Sequence, residues 1–216
     1  MKTISIDVVS DVVCPWCYVG KRRLEAALNE WATLHPDVTP VVYWHTFMLN
    51  PDMPAEGVDR KTYVSQKFGD RADEVYSRVK AVGQDVGLDF AFDRITRQPN
   101  TVAAHSLVAA SEPGDAQERM VEALFAAYFM AGRDLTEASE LMEVAESAGM
   151  PREVAQAHLQ NGALHSQTME SDQAAREMGV TGVPFFIFNR RVGLSGAHEP
   201  EALLRAMAQS LEEPTA

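Results

Sequence analysis

Apolar and polar residues alternate almost from the start of the chain. In "TISIDVV" (3–9), Ile4, Ile6 and Val8 are separated by Ser5 and Asp7, which is the period of a half-buried strand. The period then changes. From Tyr18 onward, Leu24, Ala27, Leu28 and Trp31 recur at three- and four-residue steps, which predicts a helix. "HPDVTP" (35–40) stops that helix, and "VVYWHTF" (41–47) reads as a second strand. Cys14 therefore falls where a strand gives way to a helix.

Between residues 57 and 165 helical signals dominate. Val121, Leu124, Phe125 and Tyr128 form an apolar stripe, Asp134–Leu135–Thr136 with Glu137 looks like a helix start, and "GMP" (149–151) is a break before another helix. "LDFAFDRI" (88–95) alternates and predicts a short strand. Met120, Met130, Met142, Met169 and Met178, spread over these helices and the next, read as core filler. From about residue 166 a long helix leads into "GVTGVPFFIFNRRVGLSGAHEP" (179–200). There Phe185–Phe188 is an apolar strand, Asn189–Arg190 a tight turn and Arg191–Leu194 the returning strand; residues 199–211 close as a helix begun by Pro200. The order predicts an α/β fold in which helices cover a small mixed sheet. It divides into a discontinuous unit of residues 1–56 and 166–216 and an inserted helical subdomain of residues 57–165.

The 216 residues are 46 % hydrophobic, enough for a full core without crosslinks. The formal charge of −12 argues against a nucleic-acid partner, which needs clustered Lys and Arg. "MKTISIDVVSD" is not a secretory signal, since Asp7 interrupts its apolar stretch, and no run approaches the ~18 apolar residues of a membrane span. With Met1 in place, the expectation is a cytoplasmic protein with no membrane contact. A stable structural disulfide is disfavoured in that compartment.

The only two cysteines, Cys14 and Cys17, stand in "DVVCPWCYVG" (11–20). At the first turn of a helix, the Cys14 sulfur would face unsatisfied backbone N–H groups and the positive end of the helix dipole, both of which favour thiolate. A free cysteine titrates near ~8.5, and this motif and position can lower that to ~7 or further. Cys17 lies on the same helical face, so the sulfurs can close a small ring and exchange electrons with a foreign thiol or disulfide. Pro15 suits the fixed φ of a first-turn residue, and Trp16 offers apolar contact beside the sulfur. A zinc half-site is the alternative, but four ligands are needed, there is no second cysteine pair, and His158 and His165 are too far apart for the usual spacing. A site shared between two chains stays open on spacing alone. No bound metal or cofactor is expected.

A second signal lies far away in the chain. Pro184 follows Val183 and directly precedes an apolar strand, where a proline costs a ladder hydrogen bond unless it begins an edge or turns the chain through a cis bond. The cysteine pair after the first strand together with "TGVP" (181–184) before a late hairpin resembles the thioredoxin fold, and the helical insertion resembles its DsbA-like branch. "SDVVCPWCYVG" (10–20), "FMLNP" (47–51) and "QPNTVAAHSL" (98–107) are similar to the FrnE-type dithiol-disulfide oxidoreductases of bacterial cytoplasm. The resemblance covers essentially the whole chain. It implies a thioredoxin-like fold with a large helical insertion. It also implies Cys14 as nucleophile, Cys17 as its partner, Pro184 as a cis-proline against the sulfurs, and Val183 offering main-chain groups to a substrate strand.

The same resemblance implies cysteine-containing polypeptides or small thiols as partners, with glutathione as a co-substrate. Some relatives carry a further C-terminal cysteine pair, which this chain lacks, so its redox partner must be external. Asn100 reads as an N-cap, and His105, on the same helix, either as a structural hydrogen-bonding residue or as one lining the cleft. Asp11 reads as a turn or capping aspartate, or as a proton acceptor for Cys17; Asp7 is a second candidate for that proton role. Kappa-class glutathione transferases and hydroxychromene-carboxylate isomerases share this architecture but typically carry serine where Cys14 stands, and a chaperone-like binding protein is a third reading. Nothing in the sequence fixes the oligomeric state.

Overall fold

The computed structural model describes residues 2–212. Strand β1 (Lys2–Ser10) buries Ile4, Ile6 and Val8 and leaves Ser5 and Asp7 partly exposed, as its alternation requires. Helix α1 (Pro15–Leu34) follows and buries Val19, Leu24, Ala27 and Trp31; the Trp31 indole N–H donates to Val38 O at 3.2 Å where the helix hands over to the next strand. That strand, β2 (Val38–Thr46), runs parallel to β1 in the register Lys2↔Val38 to Ser10↔Thr46. It lies at a sheet edge, where Pro40 costs no ladder bond on the outer side.

Between β2 and the last two strands lie β3 (Val58–Asp59), α2 (Arg60–Phe68), α3 (Ala72–Asp85), β4 (Arg97–Gln98), α4 (Val102–Ala110), α5 (Asp115–Phe125), α6 (Ala138–Ser147), α7 (Arg152–Leu159) and α8 (Gly162–Glu177). A π-helical turn at Ala126–Met130 continues α5 and buries Tyr128 and Phe129 together. Strand β5 (Phe185–Phe188) then pairs antiparallel with β1, and β6 (Val192–Ser195) pairs back on β5, giving the sheet order β2-β1-β5-β6. Two residues of the three-residue connecting loop (189–191) have positive φ, 49° at Asn189 and 56° at Arg190, and the Arg191 N–H closes the turn on Phe188 O at 3.0 Å. Asn189 also bonds Ser5 through both its backbone N–H (2.9 Å) and its side-chain oxygen (3.0 Å), tying the turn to β1.

Helix α9 (Pro200–Leu211) packs on α1, β5 and β6, while α4, α5 and α8 pack on β2. One continuous apolar core runs from Ile4, Ile6, Phe186 and Phe188 of the sheet through Tyr18 of α1 to Phe90, Leu107, Phe125 and Phe129. The helical segment is thus welded to the sheet; the Tyr18 and Phe125 rings stack at 4.8 Å between centroids.

Two expectations need correction. Residues 88–95 do not form a strand; they run irregularly through a single 3₁₀ turn at Phe92–Arg94. The alternation is real, but Leu88 and Phe90 plug into helices, with Phe90 5.4 Å from Phe129 and 6.1 Å from Tyr18, and none of this run joins a sheet until Arg97. Met120 is core, as expected, but Met169 and Met178 are 53 % and 69 % exposed and fill nothing.

Candidate active site

The β1–α1 junction places the cysteines. Cys14 is the N-cap of α1, with extended backbone (φ −97°, ψ 110°), and Pro15 occupies the first turn. The loop before it closes on itself, the Cys14 N–H donating to Asp11 O at 3.0 Å. One turn on, Cys17 is buried in the core beneath Cys14. Both are free thiols. Burial pushes the Cys17 thiol well up; a hydrogen bond and the charge of Cys14 add to this, while the Ser10 hydroxyl and the Asp11 backbone N–H oppose it.

From the far end of the chain comes the segment before β5. The Val183–Pro184 peptide is cis, and the Cys14 thiol donates to Val183 O at 3.6 Å. Residues 169 positions apart therefore meet at one point. Gly20 makes the approach of α1 possible, since a Cβ there would stand 2.9 Å from Pro184 Cγ and 3.2 Å from Phe186 Cζ. Gly20→Val is therefore expected to overpack this junction by about 1–3 kcal/mol, read as a lower melting temperature in calorimetry. Pro15 and Trp16 are half-buried next to Cys14.

The other candidates take different places. Asn100 faces the loop after β2: its amide donates to Met53 O (2.6 Å) and its oxygen accepts from Val102 N (3.0 Å), while Thr101 is the N-cap of α4. His105 is buried, and its Nε2 lies 3.3 Å from Asp11 Oδ1. Asp7 faces His45 at 2.8 Å on the other side of β1, where both line a groove of about 590 Å³ with Phe185, Ile187 and Met178. Neither cysteine lines that groove. Among the described residues no three His, Cys, Asp or Glu side chains converge as a metal site. No helix among them is long and apolar enough to cross a membrane.

Sequence reasoning missed one cluster beside the site. Lys21, its side chain only 3 % exposed, is surrounded by Glu25, Glu118 (2.8 Å) and Glu122 (3.0 Å), and Arg22 and Tyr18 also bond Glu122. The signal was available as the i,i+4 spacings Lys21–Glu25 and Glu118–Glu122, but only the tertiary pairing of α1 with α5 brings them together.

A parallel β1–α1–β2 unit joined to an antiparallel hairpin, with a dithiol at the N-terminus of α1 opposite a cis-proline, defines a thioredoxin-fold protein. The DSBA-like thioredoxin domain model matches residues 5–208, and the chain belongs to that family, with a DsbA-like fold. Members of the family are thiol-disulfide oxidoreductases and isomerases. A Streptomyces coelicolor structure described as a probable DsbA oxidoreductase is 26 % identical, with a TM-score of 0.85 over 99 % of this chain and 93 % of that one. The uncharacterized protein YwbO of Bacillus subtilis is 25 % identical over 208 residues, 95 % of this chain and 96 % of its own length. The cytosolic disulfide reductase DsbM of Pseudomonas aeruginosa, solved with glutathione, shares the fold at 19 % identity and a TM-score of 0.57, covering 95 % of each chain.

Proposed function

We propose that this chain is a FrnE-type dithiol-disulfide oxidoreductase and isomerase of the bacterial cytoplasm, acting on cysteine-containing polypeptides and small disulfides. The observation that carries this reading is the placement of the Cys14 sulfur at the helix N-cap and against Val183 O, with Cys17 buried directly behind it. Cys14 is itself buried, at 5 % exposed against 1 % for Cys17; as the N-cap of α1 it is the outer of the two sulfurs, and in this reading it is the atom that a foreign sulfur meets.

In the reducing direction the Cys14 thiolate attacks a substrate disulfide, forming a mixed disulfide and expelling one substrate thiolate. The Cys17 thiolate then attacks the Cys14 sulfur, expelling the second substrate thiolate and leaving the Cys14–Cys17 disulfide. Two electrons have passed from the dithiol to the substrate. The reverse sequence oxidises a substrate dithiol, and attack without net transfer isomerises. The causes of the Cys17 shift fit this order. Once Cys14 is held in a mixed disulfide, its hydrogen bond and charge no longer raise Cys17, while Ser10 and the Asp11 N–H still lower it. Burial, the largest cause, still holds the thiol up, so the mixed disulfide removes only part of what raises it.

Val183, Pro184, Pro15 and Trp16 form the substrate-facing rim in this reading. A peptide lying along Val183 would be held by main-chain bonds, which tolerate many sequences. The glutathione bound to the Pseudomonas reductase supports a small thiol as the external reductant.

The test is turnover of a disulfide-bridged peptide with glutathione as reductant. The wild-type chain is expected to accelerate reduction and Cys14→Ser to abolish it. Turnover that survives Cys14→Ser would instead favour a glutathione-transferase or isomerase chemistry that does not use the dithiol. Suppression of aggregation by a Cys14→Ser/Cys17→Ser double variant, without any turnover by the wild type, would favour a binding protein.

A further inference from the structure

We infer that the buried Asp11–His105 pair is a positioning device for the resolving step, because it fixes the residue whose carbonyl holds the Cys14 main chain in the active-site loop. The inference rests on the dithiol exchange proposed above. The Asp11 carbonyl accepts the Cys14 N–H at 3.0 Å, and the Asp11 backbone is among the influences that lower the Cys17 thiol. The orientation of this one residue therefore bears on both the loop that carries Cys14 and the ionisation of Cys17.

What fixes that orientation is the side chain. Asp11 is 1 % exposed and His105 3 %. Asp11 Oδ2 accepts from Leu49 N at 2.8 Å, while Oδ1 accepts from Val13 N at 3.4 Å and faces His105 Nε2 at 3.3 Å. A single carboxylate thus joins the active-site loop, the chain leaving β2, and α4 of the helical segment. A buried carboxylate needs such partners, and losing one leaves the others to rearrange. Taking away the histidine would cut the tie to α4 and leave Oδ1 with only the long Val13 N–H bond, so that the carboxylate could tilt. Attack by the N-cap sulfur of Cys14 on a reagent needs no alignment with Cys17, whereas in-line attack of Cys17 on the Cys14 sulfur depends on the two being aligned. His105 and Asp11 are positioning residues: neither touches substrate.

The experiment uses the reduced full chain and 5,5′-dithiobis(2-nitrobenzoate). Attack by Cys14 releases one thionitrobenzoate and leaves the other on Cys14; attack by Cys17 then releases the second and closes the protein disulfide. His105→Leu is expected to leave the first release within about twofold of wild type and to slow the second about tenfold or more. His105→Gln, which can still reach Asp11, is expected to restore most of the second rate. Asp11→Asn is the second variant, should His105→Leu not fold. In either orientation its amide nitrogen meets a backbone N–H, from Val13 or from Leu49, so the second release is expected to slow there too. Two releases unchanged in the variants, or both slowed equally, would overturn the inference. A wild-type chain that released only one equivalent would instead contradict the dithiol reading itself.

Discussion

Cys14→Ser is expected to lose disulfide exchange by about 10³-fold or more, while Cys17→Ser keeps the first step and stops at a mixed disulfide. The asymmetry follows from position. Both sulfurs are buried, but Cys14 is the N-cap of α1 and meets Val183 O, whereas Cys17 lies one turn further into the helix. A serine hydroxyl is not ionised at neutral pH, so at position 14 no nucleophile remains. At position 17 the first attack needs nothing from the lost sulfur. Mass spectrometry of Cys17→Ser after exposure to a glutathione disulfide should therefore show one glutathione on Cys14. Because burial holds the Cys17 thiol up, the resolving step in the wild type is expected to quicken as pH rises above neutrality, by contrast with a group that ionises freely. A resolving rate that is flat or falls over that range would contradict the assignment of roles.

Lys21→Met is expected to be the costliest single change outside the redox pair, at about 3 kcal/mol, or a melting temperature lower by roughly 6–12 °C. The Lys21 ammonium is almost wholly buried and answers Glu25, Glu118 and Glu122, which are about a third exposed. Methionine fills a similar volume but leaves the carboxylates without their buried cation. Burial pulls the Lys21 ammonium down, and Glu118, Glu25 and Glu122 more than reverse this, leaving it raised. For Glu122, burial raises the carboxyl, and the Lys21 charge with the Arg22 and Tyr18 hydrogen bonds outweighs it, leaving it lowered. A lowered carboxyl contributes stability above its ordinary range and loses it as pH falls through the folded value. A raised ammonium contributes fully below the ordinary lysine value and loses it as pH rises through the folded one. The gap between wild type and Lys21→Met in calorimetry should accordingly be widest at neutral pH and narrow below about pH 4. A gap independent of pH would mean that the loss is one of packing alone.

Much of this was legible before any coordinates. The alternation of Ile4, Ile6 and Val8, the change of period after Cys17, and the hairpin around Asn189–Arg190 are local signals, and local signals survive in sequence. So does Cys-Pro-Trp-Cys at a strand–helix junction. The juxtaposition of Val183 with Cys14 was implied only by the family resemblance that the two distant motifs carry. Contacts made by side chains from separate helices leave no period to read. Asp11 and His105 each stood out singly, but their meeting depends on how α4 lies against the β1–α1 loop. The Lys21 cluster likewise depends on the packing of α5 on α1. The alternation at 88–95 misled because burial of every second residue against helices looks the same in sequence as burial in a sheet.

The most direct measurement equilibrates the full chain with glutathione buffers of graded redox poise, quenches with acid and alkylates the free thiols. A working dithiol predicts one two-electron transition in which Cys14 and Cys17 lose reactivity together, as a single internal disulfide forms. Two cysteines that stay alkylatable across the whole range, or that become separately glutathionylated without closing on each other, would contradict it.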